Sequence, residues 1–107
     1  MQGRAQIIVD GGFCRGTDII KGIALGANAV SIGRLYLYGL AAAGQAGVHR
    51  VLELLEAEVR IGLGLLGVTS FTELDKSCLQ TVAPVNAPHV FSAFPLLEIT
   101  EQLRGRY

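Results

Sequence analysis

Two short stretches of this 107-residue chain hold the residue types that bind an anion. The first is Asp10-Gly11-Gly12-Phe13-Cys14-Arg15-Gly16, and the second is Gly33-Arg34. Glycines let a ligand oxygen approach the backbone, where N–H groups can point at it. An arginine adds a fork of donors matched to phosphate geometry. Asp10 can accept hydrogen bonds from ligand hydroxyls. The same residues would also serve as tight turns with a surface charge, so a Gly-Gly turn alone decides nothing.

The elements around them strengthen the case. Gln6-Ile7-Ile8-Val9-Asp10 is a consecutive apolar run rich in β-branched residues, the pattern of a parallel strand covered on both faces. Thr17-Asp18 can cap a helix whose apolar face is Ile19, Ile20, Ile23 and Ala24, and Gly26 sits where that helix stops. Ala29-Val30-Ser31-Ile32 is a second strand ending at Gly33. Strand, helix and strand make a right-handed βαβ unit with parallel strands. Both glycine stretches then follow a strand's carboxyl end, the edge where parallel α/β proteins bind ligands.

The rest of the chain reads as helical. Residues 35–43 are rich in Leu, Ala and Tyr, and Gly44 and Gly47 are expected to break the helix. From 48 to 66, Val48, Val51, Leu52, Leu55, Val59, Leu63 and Leu66 form an apolar stripe, with His49, Glu53, Glu56 and Arg60 off it. Ser70-Phe71-Thr72-Glu73 is a capping box that predicts a helix to about Leu79. The prolines Pro84, Pro88 and Pro95 mark an irregular tail, with a helical turn expected at 99–104.

Composition narrows the function classes. Nine basic residues balance nine acidic ones, which removes the electrostatic reason to bind nucleic acid. Aromatics are 7% with no Trp, so base-stacking platforms are not expected. No apolar run is long enough to span a membrane. Cys14 and Cys78 have neither metal-ligand nor disulfide-framework spacing, and read as reduced thiols of a cytoplasmic protein. His49 and His89 read as solvated, Glu53 and Glu56 as helix-surface charges, Tyr36 and Tyr38 as exterior packing and Cys78 as a packing residue.

In (β/α)8 barrels a phosphate site often forms from the loops after the last two strands. Two such loops occur here one βαβ unit apart, followed by helices. From about Gln6 to Leu79 the sequence resembles the FMN-dependent 2-hydroxy acid oxidases and dehydrogenases. The resemblance rests on Val9-Asp10-Gly11-Gly12, Arg15-Gly16-Thr17-Asp18-Ile19, Ala24-Leu25-Gly26-Ala27, Val30-Ser31-Ile32-Gly33-Arg34, and Gly47-Val48 through the long helix with Glu58. Residues 35–42 look closest to the mandelate dehydrogenase branch. The first half alone is similar to other phosphate-binding barrels, such as inosine-monophosphate dehydrogenase.

The resemblance implies an α/β chain forming the C-terminal portion of a (β/α)8 TIM barrel: the last two parallel strands plus C-terminal helices. Residues 1–82 would be the barrel part and 83–107 the tail. It implies that Asp10, Gly11, Gly12 and Phe13 lie along the ribityl and phosphate of FMN, that Cys14 sits beside them, and that Gly33 and Arg34 hold the phosphate. The family pattern has an arginine where this chain has Cys14, and Arg15 in an extended segment would point elsewhere. The family's catalytic His and substrate-binding Arg belong to an earlier segment, so no catalytic residue and no metal site is expected here. The parent reaction takes a small 2-hydroxy acid to a 2-keto acid, and the chain alone is expected to be inactive. Two parallel strands leave open edges, so a homo-oligomer or a missing N-terminal segment is expected to complete the sheet.

Overall fold

The computed structural model describes residues 3–83. The expected tail from Pro84 onward, the turn at 99–104 and His89 lie outside the described residues.

Strand β1 (Ile8–Asp10) leads through a glycine loop into helix α1 (Gly16–Ala24), then strand β2 (Ala29–Ser31) and helix α2 (Arg34–Leu66). Two 3-10 turns follow, Phe71–Glu73 and Lys76–Cys78. β1 and β2 pair in parallel, with Ile8 opposite Ala29 and Asp10 opposite Ser31. Asn28 holds the start of the pair. Its Oδ1 accepts the Ile7 N–H at 2.8 Å and its own N–H donates to the Ile7 carbonyl at 2.8 Å. Both strands are shorter than their apolar runs. The described residues also leave Ile8 70% exposed, so β1 is not covered on both faces as its composition predicts.

α1 presents Ile20 and Ala24 to a small core shared with Leu74, with Ile23, Leu63, Val68, Cys78 and Leu79 packed around it. Burying Ile20 contributes about 2 kcal/mol. The helix starts differently from the reading above. Arg15, not Thr17, is the N-cap residue, and Asp18 caps the helix from the first turn, its carboxylate turned back to accept the Arg15 N–H. Gly26 ends it as expected, at φ +114°.

α2 is one run bent at Ala43–Gly44, where the backbone leaves helical geometry. Gly44 adopts φ +61°, ψ −139°, a conformation that strongly favours glycine. Gly47 does not break the helix. It lies inside the second arm against Gly39 of the first, so close that a Cβ on Gly47 would fall 1.9 Å from the Gly39 carbonyl oxygen. On the second arm Leu55 is buried and Val48, Val51, Val59 and Leu63 are half-buried, whereas Leu52 and Leu66 of the expected stripe are exposed. Gly67 closes the helix in the left-handed region.

The segment from Ser70 to Leu79 is not one helix. The capping box forms: Glu73 Oε2 accepts from the N–H groups of Thr69 and Ser70 at 2.8 and 3.0 Å. Leu74 is then extended and buried in the core, and Asp75 caps a second turn by accepting the Ser77 N–H at 2.8 Å. Asp and Ser side chains offer the backbone local alternatives to helical bonds, and here those alternatives win.

Candidate functional site

The loop after β1 is shaped by two glycines and two carboxylates. Gly11 and Gly12 take φ of +110° and +78°, which turns the chain sharply at the strand tip. Phe13 follows, with its ring lying over α1: a Cβ on Gly22 would sit 2.9 Å from Phe13 Cε1. The Phe13 side chain is thus spent on packing. Asp18 Oδ2 then accepts from Cys14 N and Arg15 N at 3.1 and 2.9 Å. Glu58, on the second arm of α2, accepts from Gly16 N at 2.6 Å and from Arg15 Nε at 2.9 and 3.2 Å through its two oxygens. The Gly16 N–H bond holds the Glu58 carboxyl below its usual range; partial burial opposes this, and Arg15 adds to it.

The amides of residues 14 to 16 are therefore occupied by the chain's own carboxylates. The Gly11 N–H faces the Ser31 carbonyl at the end of the β1–β2 ladder, and those of Gly12 and Phe13 have no hydrogen-bond acceptor among the described residues. An anion approaching this loop finds free donors at its tip and negative charge at the start of α1.

The second strand tip is built the opposite way. Gly33 is the N-cap of α2, no side chain caps it, and the first turn holds no acidic residue. The partial positive charge of this helix end stays unmatched. Arg34, exposed, is the first helical residue.

The two tips meet. Asp10, Gly11, Gly12, Phe13, Cys14, Gly33 and Arg34 line one cavity of about 210 Å³, joined by Leu35. All seven sequence-predicted site residues are brought together. The cavity is smaller than the roughly 300–1,000 Å³ of sites that enclose a drug-sized ligand. That volume holds a small group and not a whole drug-sized ligand. A wider concavity of about 430 Å³ lies at the other end of the strands, lined by Gly3, Arg4, Ala5, Gln6, Ile7, Gly26 and Asn28. The C-terminus of α1 is at that end, and its negative partial charge disfavours an anion there.

Other residues with possible chemistry stay outside. Arg15 turns to Glu58, away from the gap that Cys14 leaves. His49 is exposed with Nδ1 3.5 Å from Glu53, and Glu53 and Glu56 pair with Arg50 and Arg60 on the surface. Tyr36 and Tyr38 are exposed, and Cys78 packs on the core. Both cysteines are free. No group of metal-ligating side chains occurs among the described residues, and no helix among them is long and apolar enough to cross a membrane. Sequence reading did not assign Glu58 its role. The available signal was a carboxylate at helical spacing between Leu55 and Val59, on the inward face.

A family model described as FMN-dependent dehydrogenase matches residues 1–81. An L-lactate oxidase from Nostoc sp. is 48% identical over 80 residues, 75% of this chain and 22% of that protein. A 2-hydroxyacid oxidase from Dictyostelium discoideum is 43% identical over 79 residues, 74% of this chain and 20% of that protein. Among solved structures, a soluble mutant of the membrane-associated (S)-mandelate dehydrogenase from Pseudomonas putida superposes with a TM-score of 0.70 at 47% identity. It covers 72% of this chain, which covers 22% of it. The chain thus spans about a fifth of the length of the relatives it matches.

Proposed function

From the premise that this chain belongs to the FMN-dependent dehydrogenase family, we propose that it holds the phosphate end of FMN between its two strand tips. The family carries out FMN-dependent oxidation of 2-hydroxy acids. The two-stranded parallel α/β piece is consistent with part of a TIM barrel. Our reading is that residues 1–82 are the last two strands and C-terminal helices of such a barrel, with 83–107 a tail. Arg34 and the open N-terminus of α2 neutralise the phosphate, the amides of Gly12 and Phe13 bind its oxygens, Gly11 lets them approach, Cys14 lines the wall and Asp10 accepts from ribityl hydroxyls. FMN, when bound, supplies the redox chemistry by taking up two electrons from the hydroxy acid.

No residue of this chain is assigned a catalytic role, and the chain alone is proposed to be inactive. Turnover belongs to a larger assembly in which another segment supplies the catalytic groups and the remaining strands; a homo-oligomer would cover the strand edges without turnover. The exposure of Ile8 and Val9 supports this, since both are apolar strand residues without cover among the described residues. A cytoplasmic location is part of the proposal and fits two free thiols.

The observation that carries the reading is the meeting of two strand tips, one with unpaired amides and one with an uncapped helix and Arg34, on one cavity. FMN titrated into the chain and followed by flavin fluorescence tests it. Arg34→Ala is expected to weaken binding by roughly ten- to a hundredfold, the worth of a charge-assisted hydrogen bond, and riboflavin is expected to bind more weakly than FMN. Unchanged affinity in Arg34→Ala overturns the assignment. The small cavity volume also favours a second reading, a non-catalytic fragment that takes phosphate-bearing ligands generally, nucleoside monophosphates included. Equal affinity for FMN and a nucleoside monophosphate would favour it.

A further inference from the structure

We infer that Glu58 is a positioning residue for the anion-binding loop, holding residues 11–15 so that the amides of Gly12 and Phe13, next to Gly11, present themselves to the cavity. The inference rests on the phosphate reading above and adds a residue remote from the cavity to it. Glu58 is 42 residues from Gly16 in sequence, and it does not line the cavity.

The loop has few other anchors. Beyond Gly11, whose N–H closes the ladder on Ser31, it makes no ladder hydrogen bonds, and Gly11 and Gly12 give it a wide choice of conformations. Asp18 ties down Cys14 N and Arg15 N, but Asp18 is itself in the first turn of α1, so it shapes the loop relative to α1 only. Glu58 is the tie to another element. Its Oε2 receives the Gly16 N–H at 2.6 Å, and Arg15 Nε lies 2.9 Å from Oε1. The backbones are also in close contact here, because a Cβ on Gly16 would sit 2.7 Å from Val59 N. α2 carries Arg34 at its start, so Glu58 fixes the first strand tip to the same helix that bears the second.

The bond to Gly16 N is the one that positions the loop. The Arg15 guanidinium is 71% exposed, and an ion pair in that setting adds little. Glutamine at 58 keeps an oxygen acceptor for Gly16 N and loses the charge. Alanine loses both.

The test is an amide NMR titration of the full chain with FMN. In the wild type, shifts are expected at Gly11, Gly12 and Phe13 and at Gly33 and Arg34. In Glu58→Ala the Gly33 and Arg34 shifts persist, the Gly11 to Phe13 shifts fall to less than half, and the apparent Kd rises about tenfold. Glu58→Gln restores most of the Gly11 to Phe13 response. A role confined to stability would alter both tips alike. If the wild type responds at both tips and Glu58→Ala keeps the full Gly11 to Phe13 response, the inference fails and the phosphate reading stands. If the wild type responds at neither tip, both fail. Should Glu58→Ala not fold, Glu58→Met serves, since its unbranched side chain keeps the length and offers Gly16 N no oxygen acceptor. The same selective loss is expected, and a full response at Gly11 to Phe13 overturns the inference.

Discussion

Replacing Gly16 with alanine tests the contact on which the geometry of the first strand tip depends. The new Cβ would lie 2.4 Å from Glu58 Cβ, 2.7 Å from Val59 N and 2.8 Å from the Glu58 carbonyl carbon. The nearest of these is about 1 Å short of the 3.4 Å at which ordinary contact begins. Two of the three atoms are helix backbone, so no side-chain rotation relieves the clash, and α1 must move off α2. Moving by that amount carries Gly16 N out of hydrogen-bonding range of Glu58. Overpacking costs about 1–3 kcal/mol, and a rigid neighbour places this site at the upper end. Alanine recovers up to about 1 kcal/mol of helix propensity. The net loss is about 2 kcal/mol, which for a domain of this size lowers Tm by roughly 10 °C. Gly64→Ala is the control: nothing lies within 4 Å of its Cβ, and it is expected to raise Tm slightly. Thermal unfolding of both variants by far-UV circular dichroism checks the difference. If Gly16→Ala melts at or above the wild-type temperature, α1 and α2 do not approach as described.

Two further outcomes are expected. Gly47→Ala places a Cβ 1.9 Å from the Gly39 carbonyl oxygen, so it should lower Tm more than Gly16→Ala does, and an equal or smaller drop would contradict the packing of the two arms of α2. Stability should fall in acid: Glu58, Glu73 and Asp75 all have carboxyls held below their ordinary values of 4.5, 4.5 and 3.8. For Glu73 the Thr69 N–H is the largest cause and for Asp75 the Ser77 hydroxyl. A lowered folded-state value gives stability that is complete above the unfolded value and lost as pH falls through the folded one. Denaturant midpoints should thus be flat near neutrality and decline from about pH 4.5 downward, less steeply in Glu73→Gln; a decline that begins near neutrality would refute this.

The part of the molecule that reads most directly from sequence is the unit from Ile7 to Arg34. Its strands, its helix and its parallel order follow from apolar runs punctuated by glycine, and the seven residues assigned to the site line one cavity. What sequence hides is what depends on neighbours distant in the chain. Asp18 does cap α1, but from inside it: the helix begins at Gly16, two residues earlier, and the carboxylate reaches backward to the Arg15 N–H. Gly47 looks like a helix breaker, yet it is the small residue that lets two arms touch. The capping box at Ser70 is visible, while the end of its helix is not, because burial of Leu74 and the competing cap of Asp75 decide it. Arg15 is adjacent to Cys14 in sequence, and only its pairing with Glu58 shows where its charge goes.

The bend at Ala43–Gly44 divides α2 into two levers with a common fulcrum. The short lever starts at Arg34 and the long one carries Glu58, which grips the opposite strand tip through Gly16. The strand pairing sets the spacing of the tips, while the turn at Ala43 and Gly44 and the seating of Gly39 on Gly47 set how the two levers reach them, both well away from any ligand.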